Sequence, residues 1–167
     1  MKRTLYLLRH AKSSWDDPSL PDYERPLARR GRRACARLAS HLQAELIEPQ
    51  LVLCSSAVRA RETLMRLALP SSVEVRVEDS IYGASAAGLL AMLRALPESI
   101  ESALVVGHDP GIQELALLLA RPGGLRDEVR AKFPTGALAT LALTTSWGAL
   151  TIDTAELTAF VTPRQLR

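Results

Sequence analysis

Short apolar runs alternate with stretches of helical periodicity along this chain, and that alternation restricts its fold more than any other feature. Residues 5–8, 51–54 and 103–106 are apolar or aromatic throughout, as expected of strands that are buried on both faces of a sheet. A stretch with apolar residues at helical spacing follows each run. The pattern predicts an α/β fold, a three-layer α/β/α sandwich around a mostly parallel central sheet.

The predicted helices cover residues 31–46, 58–69, 86–96 and 111–120, and residues 73–77 form a further strand with period-two alternation. The last third of the chain is rich in β-forming residues. Residues 137–144 and 149–153 are predicted to form an antiparallel C-terminal hairpin that extends the sheet. Since no linker or internal repeat interrupts the pattern, residues 1–167 are expected to form one domain.

Composition narrows the class of protein. A hydrophobic content of 47% with 23% charged residues suits a globular core and excludes a disordered or fibrous chain. No run approaches the roughly 18 apolar residues of a membrane span, and the apolar stretch at the amino terminus is too short for a secretory signal. Only Cys35 and Cys54 are present, without metal-ligand spacing. These features predict a cytoplasmic protein with no membrane partner.

Charged and polar side chains follow the apolar strands. Arg9 and His10 end the first strand, Arg59 lies one helical turn beyond the second, and His108 follows the strand at 103–106. Because the carboxyl ends of parallel strands meet at one edge of the sheet, these side chains are expected to converge. Guanidinium groups match the paired oxygens of a phosphate. The sequence therefore predicts a phosphate pocket.

A neutral imidazole in such a pocket can attack phosphorus directly, without a metal or a cofactor. The arginines and a second histidine can then neutralise the oxygens of the transferred group. A zinc site is disfavoured because two histidines lack a third protein ligand. Cys54 resembles the start of a cysteine-dependent phosphatase loop, but its spacing to Arg59 and Arg61 does not fit one. The chain also lacks the phosphate-loop, dinucleotide-binding and nucleophile-elbow motifs.

Three motifs in order resemble a known family. Residues 7–15, LLRHAKSSW, are similar to the RHG-type signature of the histidine phosphatase superfamily. Residues 55–63, in the form S-x-x-x-R-A-x-x-T, resemble its second motif, and residues 106–111, VGHDPG, resemble its third. With the RPL segment at 25–27 and FPTGA at 133–137, the chain looks like a member of the short SixA-like phosphohistidine phosphatase branch.

The resemblance implies a phosphoglycerate mutase-like fold and a role for each residue that matches a motif. His10 corresponds to the nucleophile that forms a covalent phosphohistidine intermediate. Arg9 and Arg59 correspond to phosphate ligands, and His108 to the second pocket histidine, which stabilises the transition state. No cofactor is implied.

The proton donor to the leaving group is left open between two carboxylates. Asp79 is the nearest positional match to the glutamate that mutase-type relatives supply after the third strand. Asp22 matches an acid often found before the RPL segment in the SixA-like branch. For either residue, a solvated loop carboxylate is an equally good interpretation.

The implied reaction is dephosphorylation of phosphohistidine in a signalling or phosphorelay protein, since a protonated imidazole leaves phosphorus more readily than an alkoxide. The partner is accordingly a phosphorylated protein or a small phosphate ester. The alternatives are a small-molecule phosphomonoesterase or phosphomutase of the same superfamily, and a non-catalytic phosphate-binding module.

A run of arginines between residues 25 and 37 contains no acid and resembles a nucleic-acid patch. Aromatic residues make up only 4% of the chain, however, and none is interleaved for base stacking. A solvated helix face is therefore favoured over nucleic acid, and a docking face for an acidic protein substrate lies between these interpretations. The cluster consists of Arg25, Arg29, Arg30, Arg32, Arg33 and Arg37.

Overall fold

A computed structural model describes residues 2–166 of the chain. Its centre is a six-stranded sheet in which β1 and β4 form the middle pair. The strands are β1 (Arg3–Arg9), β2 (Leu51–Ser55), β3 (Glu74–Glu78), β4 (Ser102–Gly107), β5 (Leu138–Leu143) and β6 (Ala155–Val161). Their order is β3-β2-β4-β1-β5-β6. The first four are parallel, β5 runs antiparallel to β1, and β6 runs antiparallel to β5.

Helices cover both faces of the sheet. They are α1 (Arg29–Ala44), α2 (Val58–Arg66), α3 (Ala86–Arg94), α4 (Gly111–Leu119) and α5 (Gly124–Ala131). Leu38 and Leu42 of α1 pack with Ala60 of α2 in one apolar cluster, whereas Leu93 of α3 and Leu115 of α4 belong to the larger cluster on the opposite face. The predicted three-layer α/β/α sandwich with a mostly parallel sheet is confirmed.

The strand register brings three strand ends to one edge. Arg9, the last residue of β1, pairs with Gly107, the last residue of β4, and Cys54 of β2 pairs with Val106. All five residues of β2 are buried, as are five of the six in β4. Other parts of the protein therefore pack on both faces of these strands, and this packing fixes the positions of the residues that follow them.

The second strand of the C-terminal hairpin was predicted wrongly at residues 149–153. The strand paired with β5 is β6, which begins at Ala155 and alternates buried and exposed side chains. Residues 147–149 instead form a short 3-10 turn, because Trp147 is fully buried and its Nε1 donates to the carbonyl of Ile100, 2.7 Å away. The hairpin is thus real, but its connection is longer than predicted.

Helix α5 was missed by the sequence analysis. It follows Pro122 and Gly123, which mark a turn, and Val129 is its one fully buried residue. So short a segment with little apolar surface gives a weak periodic signal. Among residues 2–166, no helix is both long and apolar enough to cross a membrane.

Helix α1 lies so close to the loop after β1 that only glycine fits at its third position. A Cβ on Gly31 would lie 2.2 Å from the carbonyl oxygen of Lys12, which itself accepts a hydrogen bond from the Ala28 amide. We expect Gly31→Ala to lower the free energy of unfolding by about 1–3 kcal/mol, the usual cost of overpacking. Chemical denaturation measures the change.

Gly88 provides a matched control, since it is also the third residue of its helix. A Cβ there meets Ser85 Oγ at 3.5 Å, an ordinary contact. Gly88→Ala should stabilise the protein by about 0.5–1 kcal/mol through helix propensity alone. Equal effects of the two substitutions would contradict the close approach of α1 to the loop.

Candidate active site

His10 is the first residue after β1, and its backbone is fixed from three sides. Its amide donates to the carbonyl of Gly107 at 3.1 Å, and its own carbonyl accepts from the Gly136 amide at 2.9 Å. The next amide, that of Ala11, donates to Thr63 Oγ1 at 3.0 Å. Contacts from β4, the turn before β5 and α2 therefore hold this residue at the sheet edge.

The His10 ring has a defined orientation and tautomer. It is only 6% exposed, and its Nδ1 lies 2.8 Å from the Ala11 carbonyl oxygen. A carbonyl oxygen can only accept, so Nδ1 carries the ring proton. The lone pair is then on Nε2, which faces Nε of Arg59 at 3.4 Å.

The surroundings of His10 keep it uncharged. Burial, together with the smaller effects of His108, Arg59 and Arg9, lowers the pKa of His10 to about 3, against the opposing effect of the Ala11 carbonyl. At neutral pH the ring is therefore a neutral base whose Nε2 lone pair accepts only the long hydrogen bond from Arg59 Nε. A nucleophilic imidazole needs this form.

Two predicted phosphate ligands flank this ring. Arg59 is 7% exposed and donates to the carbonyl and to Oδ2 of Asp22, at 2.7 and 2.9 Å. Arg9 donates from Nη1 to the carbonyl of Phe133 at 2.9 Å, and the same atom lies 3.5 Å from Oδ2 of Asp109. Both guanidinium groups are thus held in place by acceptors at the end of the sheet.

His108 follows β4 and lies beside His10, with 5.1 Å between the ring centroids. Its Nε2 is 2.7 Å from Oγ of Ser55, at the end of β2. Burial lowers the pKa of His108 to about 4, as do Arg59 and Arg9, while Asp22 opposes the change. The structure therefore brings together the four residues predicted from the strand ends, Arg9, His10, Arg59 and His108.

The two candidate proton donors differ in position. Asp22 lies in the site, where its carboxylate accepts hydrogen bonds from Arg25, Arg59 and the hydroxyl of Tyr82. The bond from Tyr82, followed by those from Arg59 and Arg25, lowers the pKa of Asp22 to about 2, although burial opposes it. Asp79 is exposed, and no hydrogen bond or ion pair within residues 2–166 joins its carboxylate to these groups.

Arg25 does not belong to the exposed basic face in which the sequence analysis placed it. It is 5% exposed, donates from Nε to the carbonyl of Ser14 and from Nη2 to Oγ of Ser13, and pairs with Asp22. Its guanidinium also lies 3.2 Å from the ring centre of Trp15. Of the arginines between residues 25 and 37, Arg25 is therefore a buried residue of the site, and the others lie on α1.

Tyr82 was not predicted to lie in the site, and Ser55 was predicted only as part of the second motif. Tyr82 donates to Oδ2 of Asp22 at 2.7 Å, and its ring meets that of His108 edge-on at 5.5 Å. No sequence signal marks Tyr82, which is separated from Asp22 by 60 positions in the sequence. Ser55 begins the second motif and ends an apolar strand, so its position was a usable signal.

Neither cysteine has the surroundings of a nucleophile. Burial raises the pKa of Cys54 to about 12 and that of Cys35 to about 11. Within residues 2–166 no three His, Cys, Asp or Glu side chains are grouped so as to hold a metal ion. The chemistry available at this edge is that of two neutral imidazoles, three guanidinium groups and the Asp22 carboxylate.

Comparison with known proteins identifies the family of this chain. The sequence model of the histidine phosphatase superfamily (branch 1) matches residues 5–85. Phosphohistidine phosphatase SixA of Escherichia coli is 34% identical over 145 residues, which cover 83% of this chain and 84% of that protein. The chain belongs to the histidine phosphatase superfamily. The resemblance drawn from the three motifs is confirmed.

Two further proteins are similar to this histidine phosphatase over nearly its whole length. An uncharacterized protein of Mycobacterium tuberculosis is 34% identical over 161 residues, covering 94% of this chain and all of that protein. The structure of a Nakamurella multipartitia protein described as a phosphohistidine phosphatase SixA superimposes with a TM-score of 0.88 and 33% identity, over 98% of this chain and 97% of that one. The chain is therefore a SixA-like phosphatase with a phosphoglycerate mutase-like fold.

The buried neutral His10 predicts a specific loss of stability of this histidine phosphatase in acid. Below about pH 6.5 the unfolded chain binds a proton at this residue, whereas the folded protein does not until about pH 3. Between pH 5.5 and 4.5, where the unfolded residue is almost fully protonated, the free energy of unfolding should therefore fall by about 1.3 kcal/mol per pH unit from His10 alone. Urea unfolding at a series of pH values measures this slope.

His10→Gln should make the slope shallower by that amount. His41→Gln is the matched control, since His41 is a half-buried histidine in α1, outside the site. An unchanged slope in His10→Gln would show that the ring is not held neutral by the fold.

Proposed function

We propose that this protein hydrolyses phosphohistidine in a phosphorylated protein, with His10 as the nucleophile. The observation that carries the proposal is the neutral, buried His10 ring, whose Nδ1 proton is held by the Ala11 carbonyl while Nε2 faces the guanidinium of Arg59. An imidazole so oriented presents its lone pair to a phosphorus atom bound by arginine.

In the first step, Nε2 of His10 attacks phosphorus and the P–N bond of the substrate breaks. The electron pair of that bond stays on the leaving imidazole, which takes up a proton. Arg9 and Arg59 bind the oxygens of the transferred group, and the phosphate replaces Asp22 as the acceptor for Arg59. The incoming negative charge favours protonation of His108, which then stabilises the transition state.

In the second step, water attacks the phosphorus on His10. A new P–O bond forms, the bond from phosphorus to Nε2 breaks, and inorganic phosphate leaves. The water loses a proton as it attacks, and that proton needs an acceptor. The same group that gave a proton in the first step can take one back here, which completes the cycle.

Asp22 fits that role better than Asp79, because its carboxylate lies against Arg59 and Tyr82 beside the nucleophile. It is ionised in the free site, where Tyr82, Arg59 and Arg25 stabilise its charge. When phosphate takes over Arg59 and adds negative charge, the pKa of Asp22 rises and the residue can hold a proton.

Exposed aromatic side chains favour a protein substrate over a small ester. Trp15 is 69% exposed and lies on Arg25, while Tyr23 and Tyr82 are each 37% exposed and meet edge-on at 5.1 Å. All three therefore border the Arg25–Asp22–Tyr82 network beside the pocket. Accessible aromatic residues are enriched where proteins bind one another.

A covalent intermediate on His10 is open to direct detection. Rapid quenching during turnover of a phosphohistidine peptide should trap phosphate that is labile to acid and stable to base, and peptide mapping should locate it on His10. His10→Ala should lose at least about a thousandfold in kcat/KM, because the nucleophile is gone.

His41→Ala is the matched control and should retain both the trapped phosphate and full turnover. Full turnover by His10→Ala, without bound phosphate, would overturn the covalent mechanism. Turnover confined to sugar phosphates or nucleotides would instead favour a small-molecule phosphomonoesterase.

The role of Asp22 predicts dependence on the leaving group. An alkoxide needs a proton more than an imidazole does, so Asp22→Asn should slow hydrolysis of an alkyl phosphate by about 10²–10³-fold. The same substitution should slow hydrolysis of phosphohistidine much less. Parallel kcat measurements on both substrates, with Asp79→Asn as the control, test this prediction, and equal losses on both substrates would rule out proton transfer by Asp22.

A further inference from the structure

A basic groove lies next to the candidate active site and plays no part in the proposed reaction. It is a cavity of about 670 Å³ between α1, α5, β6 and the C-terminal turn at Pro163–Gln165. Five cationic side chains line it against a single carboxylate. These residues are Lys12, Arg30, Arg37, Lys132, Arg164 and Glu128.

The cations of this groove differ from those of the pocket in how they are compensated. Arg25 and Arg59 pair with Asp22, and Arg9 lies near Asp109. Within residues 2–166, by contrast, none of the five groove cations forms an ion pair, and Nε of Arg37 is buried without a hydrogen-bond partner. The groove therefore presents an uncompensated positive field to solvent.

The groove shares its wall with the active site. Lys12 is two residues beyond His10, and Thr135 precedes Gly136, whose amide donates to the carbonyls of Arg9 and His10 at 3.0 and 2.9 Å. The groove and the site are thus built on the same two backbone segments, residues 10–12 and 134–136.

We propose that this groove binds an acidic, partly apolar segment of the phosphoprotein substrate that lies beside its phosphohistidine. The inference rests on the proposed function for the identity of that protein. Charge complementarity specifies the acidic residues, and the accessible apolar part of the lining, at Ala131 and Pro134, accepts aliphatic side chains.

A peptide fits this lining better than a nucleic acid does. Phe160 is the one aromatic residue in the groove, and its ring is 9% exposed and packed against Phe133. It offers no face on which a base could stack.

Kinetics on paired substrates test the groove. Two phosphohistidine peptides would be compared, one with Asp, Glu and Leu beside the phosphohistidine and one with Gln in place of each acid. At low salt, kcat/KM should be about tenfold higher for the acidic peptide, and the preference should shrink as salt screens the groove.

The double variant Arg30→Gln/Lys132→Gln should abolish most of that preference. Both side chains are exposed, so the fold should tolerate the changes, and thermal unfolding checks this. Arg76→Gln is the matched control and should keep the full preference. Arg76 is exposed on β3, which is the outermost strand on the side of the sheet away from β6. Equal kcat/KM for the two peptides, or a preference unchanged in the double variant, would overturn the proposal.

A binding measurement separates this inference from the proposed function. A fluorescent acidic peptide with unphosphorylated histidine needs no catalysis, and its anisotropy should show binding that the double variant weakens about tenfold or more at low salt. If the peptide binds in this way but the phosphohistidine peptides are not hydrolysed, the assignment of the groove to an acidic peptide is supported and the proposed function is wrong. Absence of such binding, or equally tight groove binding of a single-stranded oligonucleotide, would overturn the assignment to an acidic peptide.

Discussion

The site depends on the hydrogen bonds that fix the backbone around His10. Gly107, Gly136 and Thr63 belong to separate parts of the chain, and each contacts the His10–Ala11 segment at the edge of the sheet. Because the Ala11 carbonyl in turn orients the ring through Nδ1, the position of Nε2 is set by the same contacts that close the fold. Stability and chemistry therefore share one set of bonds.

Around that ring, the balance of charge decides what the site can bind. Three guanidinium groups, those of Arg9, Arg25 and Arg59, face two carboxylates, and carbonyl oxygens supply much of the remaining compensation. Carbonyls satisfy buried N–H donors without cancelling their charge. The site thus stays positive while both imidazoles stay neutral, which suits an anionic phosphoryl group and a histidine nucleophile together.

The site residues that follow strand ends could be predicted from the sequence. The residues that are placed by contacts between distant segments could not. Apolar strands that end in Arg9-His10 and Gly107-His108 require a common sheet edge, so the four central residues could be found before the structure.

Tyr82 and the burial of Arg25 could not be found in that way. Each depends on partners in irregular segments, such as the loop that carries Asp22, and periodicity says nothing about such segments. The misplaced strand has a similar cause. Burial of Trp147 against Ile100 is a tertiary contact, and it outweighs the β-propensity of residues 149–153.

An open site places a demand on the substrate. The loop between β1 and α1 borders the pocket, and its Trp15 is mostly exposed rather than folded over His10. Transfer of a phosphoryl group to His10 is favoured when water is excluded and the arginine charges act at low dielectric. In the proposed reaction, the substrate protein itself supplies this cover when it rests on the exposed aromatic residues and reaches into the basic groove. The surface that the substrate protein buries then both selects the substrate and excludes water from the site.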